Sequence, residues 1–216
     1  PKDVAALADH LGLQRFVVLG HSGAGTPYAL ATAQCLSDRV RALYLVGAAP
    51  PIEHLKDLKN FSDHFRMMIL VARYSPNLLP PLLRISIRGI RKNVYQFMEH
   101  MMRHVPESDR RMFDDPVMRE NYARGLLASV KHGEQYLVSE ALLVVHGWST
   151  DDLALSMPVE LFHGDADTHV ALAGAQKLAE RIPGARLRVI RGGGHFLIYS
   201  HWREILQAIR QTCATG

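Results

Sequence analysis

Residues 16–25, FVVLGHSGAG, constrain this chain more than any other stretch. Phe16-Val17-Val18-Leu19 is a short continuous apolar run, the pattern of a parallel strand buried on both faces. Residues 20–25 are all small except His21, and residues 22–35, rich in Ala, read as a helix. A strand that turns through glycine directly into a helix is half of a βα unit, and its neighbours keep the same rhythm. Residues 3–11 (DVAALADHL) have helical spacing and stop at Gly12, while residues 40–47 (VRALYLVG) form a second strand. The order helix, strand, helix, strand implies a parallel sheet with right-handed crossovers.

Pro50-Pro51 interrupts this rhythm, and residues 52–150 contain no convincing strand. Residues 61–74, 94–105 and 117–145 read as helices, and Asp115-Pro116 fits an N-cap followed by proline at the first helical position. The alternation then returns: strand 159–163, helix 172–181, strand 186–191 and helix 201–211. The predicted architecture is an α/β core of residues 1–51 and 151–216, with an all-helical segment of residues 52–150 inserted into it. At 216 residues the chain suits one domain carrying such an insertion, and it has no internal repeat or low-complexity linker.

Composition excludes several classes. Hydrophobic residues make up 48% and charged residues 21%, ordinary for a soluble globular protein. A formal charge of +4 is mild, and without a basic stripe on a binding motif it does not point to nucleic acid. The most apolar region, residues 67–90, is broken by Arg73, Pro76, Pro80, Pro81 and Arg84, so no membrane span and no membrane contact are expected. Two cysteines, Cys35 and Cys213, make no disulfide framework and have no metal-ligand spacing, which fits a reducing, cytoplasmic setting. The chain starts at Pro1 and runs straight into a helix. It therefore reads as shortened at its N-terminus, and a targeting segment could lie upstream.

The chemistry is concentrated at three strand ends. Gly20-His21-Ser22-Gly23-Ala24-Gly25 has the context of a nucleophile elbow, in which a serine sits on a sharp strand-to-helix turn between small neighbours. Ala24 stands where the G-x-S-x-G pattern has its second glycine, a small departure. The free N–H groups at the start of the following helix make Gly23 N–H a natural oxyanion donor. The plainer alternative is a turn with Ser22 as N-cap. A phosphate loop is disfavoured, because the spacing fits neither G-x-G-x-x-G nor a Walker motif.

The other two clusters are Gly164-Asp165-Ala166-Asp167-Thr168-His169-Val170 and Gly192-Gly193-Gly194-His195-Phe196. Both follow predicted parallel strands, where open α/β sheets place their sites. Of the twelve histidines, His195 stands out for the triple glycine before it. His21, His163 and His169 lie near the motifs but follow no base pattern, and no pair among these three has tight helical ligand spacing, so no metal is expected.

With Ser, Asp and His in this chain order, residues 3–211 resemble the α/β-hydrolase superfamily. The segments PVELFHGDADTHV and PGARLRVIRGGGHF are similar to that family's acid and histidine loops. The resemblance implies Ser22 as nucleophile, His195 as general base and Asp167, three residues after the glycine, as the orienting acid. Asp165 competes for the last role, its plainer function being that of a turn residue. The elbow residues Gly20, His21 and Gly23 would shape the oxyanion site. The implied reaction is acyl transfer through an acyl-serine, with no cofactor.

The family's sheet usually has eight strands, and only the last four are found here. The earlier strands and the loop carrying a second oxyanion donor are therefore expected upstream of Asp3, and the strand at residues 16–19 is expected to have an unpaired apolar edge. The inserted helices resemble a cap. Between Arg66 and Arg111 there are nine Lys/Arg against three Asp/Glu, together with Met67, Met68, Met98, Met101 and Met102, and Met112 follows directly. These residues read first as packing and solvated faces, and second as an adaptable pocket with a basic rim. The substrate class expected is a small apolar ester or acyl compound, and no substrate-binding residue is assigned. The same fold also hosts carbon–carbon hydrolysis, lyase and cofactor-free oxygenase chemistry, and a non-catalytic binding role stays open.

Overall fold

The computed structural model describes residues 1–146 and 148–215. Gly147 and Gly216, which the sequence assigns to the helical segment and to the core, lie outside the described residues. A four-stranded parallel sheet carries the fold, in the order β1 (Phe16–His21), β2 (Val40–Val46), β3 (Val159–Gly164), β4 (Arg186–Ile190). Helix α1 (Lys2–His10) precedes it, and α2 (Ser22–Cys35) connects β1 to β2.

The sheet is covered on both faces, which is why β2 is apolar from Ala42 to Val46. Leu43 and Leu45 point to one side, where they meet Ala29 and Ala33 of α2, Leu161 of β3 and Leu178 of α9 (Leu172–Glu180). Tyr44 and Val46 point to the other, against Phe162 and against Ile205 and Ala208 of α11 (Trp202–Thr215). Each of these large side chains, fully buried, contributes on the order of 1.5–3 kcal/mol. The outer strands are less covered: β4 is half exposed, and Leu19 on β1 is exposed at the opposite edge. Among the described residues no strand pairs with the outer side of β1, as expected.

Between β2 and β3 the chain forms α3 (Asp63–Tyr74), α4 (Leu79–Lys92), α5 (Val94–Met102), α6 (Glu107–Arg111), α7 (Pro116–Ser129) and α8 (Glu134–His146). One small core joins Ile69, Ala72, Leu79 and Val145; another joins Ile87, Ile90, Val94, Met98 and Ala123. Asp115 caps α7 by accepting a hydrogen bond from Val117 N–H at 2.8 Å, with Pro116 in the first turn, as its sequence predicts.

Three expectations need correction. The single helix read over residues 117–145 is two, α7 and α8, separated by a turn in which Gly133 has φ +86°. Helix α4 was not anticipated, because Pro80-Pro81 suggests a break; the prolines sit in its first turn, where their missing N–H groups cost nothing. The last helix is preceded by a short one, α10 (Leu197–Ser200), and α11 extends past residue 211.

The inserted segment is fastened to the core by ion pairs. Arg181, which caps α9, forks onto Glu53 with contacts of 2.5 and 2.6 Å. Lys177 reaches Asp57 at 2.5 Å. Cys35 and Cys213 are free and exposed, and among the described residues no helix is long and apolar enough to cross a membrane.

Candidate active site

All four strands end on one side of the sheet, and Ser22, Asp167 and His195 follow the ends of β1, β3 and β4. Ser22 is the one non-glycine residue with positive φ, +65°, among the described residues. Such a conformation is costly for a residue with a Cβ and persists only where its surroundings enforce it. Here Gly20 allows the enforcement. A Cβ on Gly20 would lie 2.6 Å from Ala29 Cβ and 3.0 Å from the Gly25 carbonyl oxygen, so only glycine lets α2 fold back this closely onto β1. Ala24, the departure from the glycine pattern, is exposed, and its methyl faces the cavity beside Ser22 without obstruction.

The three predicted residues meet. His195 Nδ1–H donates to Asp167 Oδ2 at 2.8 Å, and Nε2 of the same ring lies 2.9 Å from Ser22 Oγ. Because Nδ1 carries the proton shared with the carboxylate, Nε2 is free to accept the serine proton. Asp167 is itself fixed: its Oδ1 accepts hydrogen bonds from His169 N–H at 2.7 Å and Val170 N–H at 2.9 Å. Burial works against its charged form, but the His195 hydrogen bond and nearby donors outweigh this and hold its pKa below the usual carboxylate value. Asp165, the competing acid, is exposed and accepts from Gly192 N–H at 2.6 Å, tying the acid loop to the histidine loop without touching the His195 ring.

Three other histidines, His21, His163 and His169, form a neutral shell around the site. Burial, reinforced by repulsion from His195, lowers the pKa of His21 and of His169 to about 4. His21 donates from Nε2 to the His195 carbonyl oxygen at 3.3 Å, and the His169 ring stacks on that of His195 with centroids 4.6 Å apart. Fully buried His163, its pKa also lowered by burial, donates to the Val170 carbonyl oxygen at 3.0 Å behind Asp167. Ligand atoms of Asp167, His169 and His195 lie within 4.8 Å of one another, close enough for a cation. Asp167 and His195 have already committed those atoms to each other, to two backbone N–H groups and to Ser22.

A cavity of about 360 Å³ opens over Ser22. Gly23, Ser22 and His195 form its floor, and its walls are mostly apolar side chains of the inserted segment, among them Phe61, Met68, Ile69, Leu83 and Val145, with His64 and Glu140 beside them. Sequence reasoning assigned no substrate-lining residue. Met68 lines this cavity, whereas Met98 and Met102 are buried in packing, so the methionines divide between the two roles considered for them.

Sequence reasoning also missed Asp109 of α6. It is buried, and its carboxylate accepts hydrogen bonds from the His195 N–H at 2.8 Å and the Phe196 N–H at 3.1 Å. Burial raises its pKa against the pull of those two donors. The three glycines before His195 signal a close approach, but they do not say from where.

This parallel sheet with a strained serine, an acid and a histidine at its strand ends defines an α/β hydrolase, and the chain belongs to the alpha/beta hydrolase fold family, whose model matches residues 1–201. Among solved structures it is similar to a thermophilic esterase from Thermogutta terrifontis, at 25% identity and TM-score 0.64, over 99% of this chain and 70% of that one. A carboxylesterase structure from Nitrososphaera gargenis gives 22% identity and TM-score 0.62 over 99% and 70%. A bromoperoxidase from Bacillus anthracis gives 17% and 0.62 over 98% and 72%. No curated protein sequence matches the chain.

Proposed function

We propose that the chain is a serine hydrolase cleaving esters with an apolar acyl or alcohol group through an acyl-enzyme. The observation that carries this reading is the continuous relay Asp167–His195–Ser22, with spacings of 2.8 and 2.9 Å, at the floor of an apolar cavity. The likeness to an esterase supports the choice of ester among acyl compounds.

In the proposed cycle Ser22 Oγ attacks the ester carbonyl carbon while His195 Nε2 takes the hydroxyl proton. Asp167 holds the ring in the tautomer that leaves Nε2 open and stabilises the imidazolium once formed. The carbonyl π electrons move to oxygen, and Gly23 N–H, at the positive end of α2, receives the resulting oxyanion. As the carbon–oxygen bond breaks, the alkoxide takes the proton from His195 and leaves as alcohol, with the acyl group on Ser22. Water then gives a proton to the same nitrogen and adds to the acyl carbon. Collapse of this second intermediate returns the proton to Ser22 and frees the acid.

The inserted helices act in this reading as a cap whose apolar wall selects the substrate. The test is turnover of p-nitrophenyl esters of increasing acyl length beside a β-diketone of similar size. Hydrolysis of the esters, abolished in Ser22→Ala, is the expected result. Cleavage of the diketone alone would replace ester chemistry by carbon–carbon hydrolysis.

A further inference from the structure

Asp109 is 1% exposed and stands on α6 of the inserted segment, yet among the described residues no lysine or arginine pairs with it. A buried carboxylate without a cation is costly unless its oxygens are hydrogen-bonded. Both oxygens here are used on another part of the chain, 86 residues away: Oδ2 by His195 N–H and Oδ1 by Phe196 N–H. Between them the carboxylate lies over Gly194, so close that a Cβ at that position would collide with Oδ1, Oδ2 and Cγ of Asp109. Three successive residues of the histidine loop are thus fitted to one side chain of the inserted helices. Phe196 extends the grip, packing on Met102 and Val105 and meeting Tyr122 edge-on at 5.7 Å.

We propose that Asp109 is a positioning residue for His195, making the triad geometry depend on the seating of the inserted segment. The proposal rests on the reading of His195 as general base. With its own backbone N–H and the next peptide anchored, the main chain of His195, from which the ring reaches Ser22 and Asp167, cannot shift without leaving the carboxylate. When the segment lifts, His195 and Phe196 lose their acceptor and the loop is free to drift. Displacements of about 1 Å at a reacting group cost on the order of 10²-fold in rate. The base is therefore held in register only while α6 is seated on the histidine loop, which limits acyl transfer to the assembled site.

The test compares Asp109→Asn, Asp109→Ala and Gly194→Ala in the full chain, with the exposed neighbour Arg110→Ala as control. Readouts are the NMR signal of the His195 Nδ1 proton in ¹⁵N-histidine-labelled protein, and ester turnover with kcat and KM separated. Asp109→Ala is expected to lower kcat by about 10–100-fold with KM within about twofold, and to weaken or shift the Nδ1 proton signal of the folded protein. Asp109→Asn has nearly the same shape and keeps one acceptor, so it folds and falls between. Gly194→Ala evicts the carboxylate and gives the same loss, and its effect vanishes in an Asp109→Ala background. Arg110→Ala leaves both readouts unchanged. A folded Asp109→Ala or Asp109→Asn protein with unaltered kcat and an unshifted His195 signal overturns the proposal. So does a loss of activity that merely tracks the unfolded fraction. If the unaltered chain turns over no ester, the acyl-transfer reading fails, and the His195 signal still decides the role of Asp109.

Discussion

Ser22 Oγ and His195 Nε2 lie 2.9 Å apart although 173 residues separate them in the chain. Nothing local joins them; the parallel sheet does, by ending β1 and β4 on the same side with two strands between. If this contact is the proton-transfer step, Ser22→Ala and His195→Ala should each lower ester kcat by about 10⁴-fold or more, and the double variant should lose little further. Additive losses would mean that the two residues act independently.

The elbow predicts a stability cost two residues from the chemistry. Gly20→Ala places a methyl 2.6 Å from Ala29 Cβ in a backbone-to-helix contact with no room to yield. Denaturant unfolding should show a loss of about 1–3 kcal/mol, with a fall in activity as Ser22 is displaced. An unchanged midpoint would refute the close packing of α2 on β1.

The cavity wall predicts a change of selectivity. Ala141 lines it and is only partly buried, so Ala141→Leu fills space that an acyl chain would use. The ratio of kcat/KM for octanoyl over acetyl esters should fall by about tenfold or more, since a methylene in an apolar pocket is worth roughly 1–3 kcal/mol. An equal loss for both esters would place the acyl group elsewhere.

The neutral histidine shell predicts a pH dependence. His21 and His169 stay unprotonated in the fold down to about 4, whereas in the unfolded chain each takes up a proton near the ordinary histidine value of 6.5. Between these values the unfolded state binds more protons, so stability is complete above 6.5 and falls as pH drops towards 4, by up to about 3 kcal/mol for each ring. Asp109, with its raised pKa, works in the opposite sense, while the lowered pKa of Asp167 adds a loss only below 3.8. Urea unfolding at pH 7 and pH 4.5 checks the sum, and His169→Gln should flatten the difference. Equal midpoints at the two pH values would contradict it.

Much of this was legible because the sheet writes strong signals. Buried parallel strands favour apolar runs, and residues 16–19 and 42–46 supply them, with the shorter Val159, Leu161 and Phe162 set in β3, near the glycine-rich loops that hold Ser22 and Asp167. The inserted helices were less legible. Helical periodicity continues across Val130, and only Gly133 marks the turn there, while the prolines that open α4 look like a break until their place in the first turn is known. Asp109 was invisible for a different reason. Its partners are main-chain N–H groups 86 residues away, and a backbone donor leaves no residue type for a sequence reading to find.

The central claim is that Ser22 is the nucleophile activated by His195, and reaction with a fluorophosphonate followed by peptide mass spectrometry tests it most directly. The account predicts a single adduct on Ser22 that disappears in Ser22→Ala and forms far more slowly in His195→Ala. A folded chain that takes up no label, or takes it up on another residue, would contradict it.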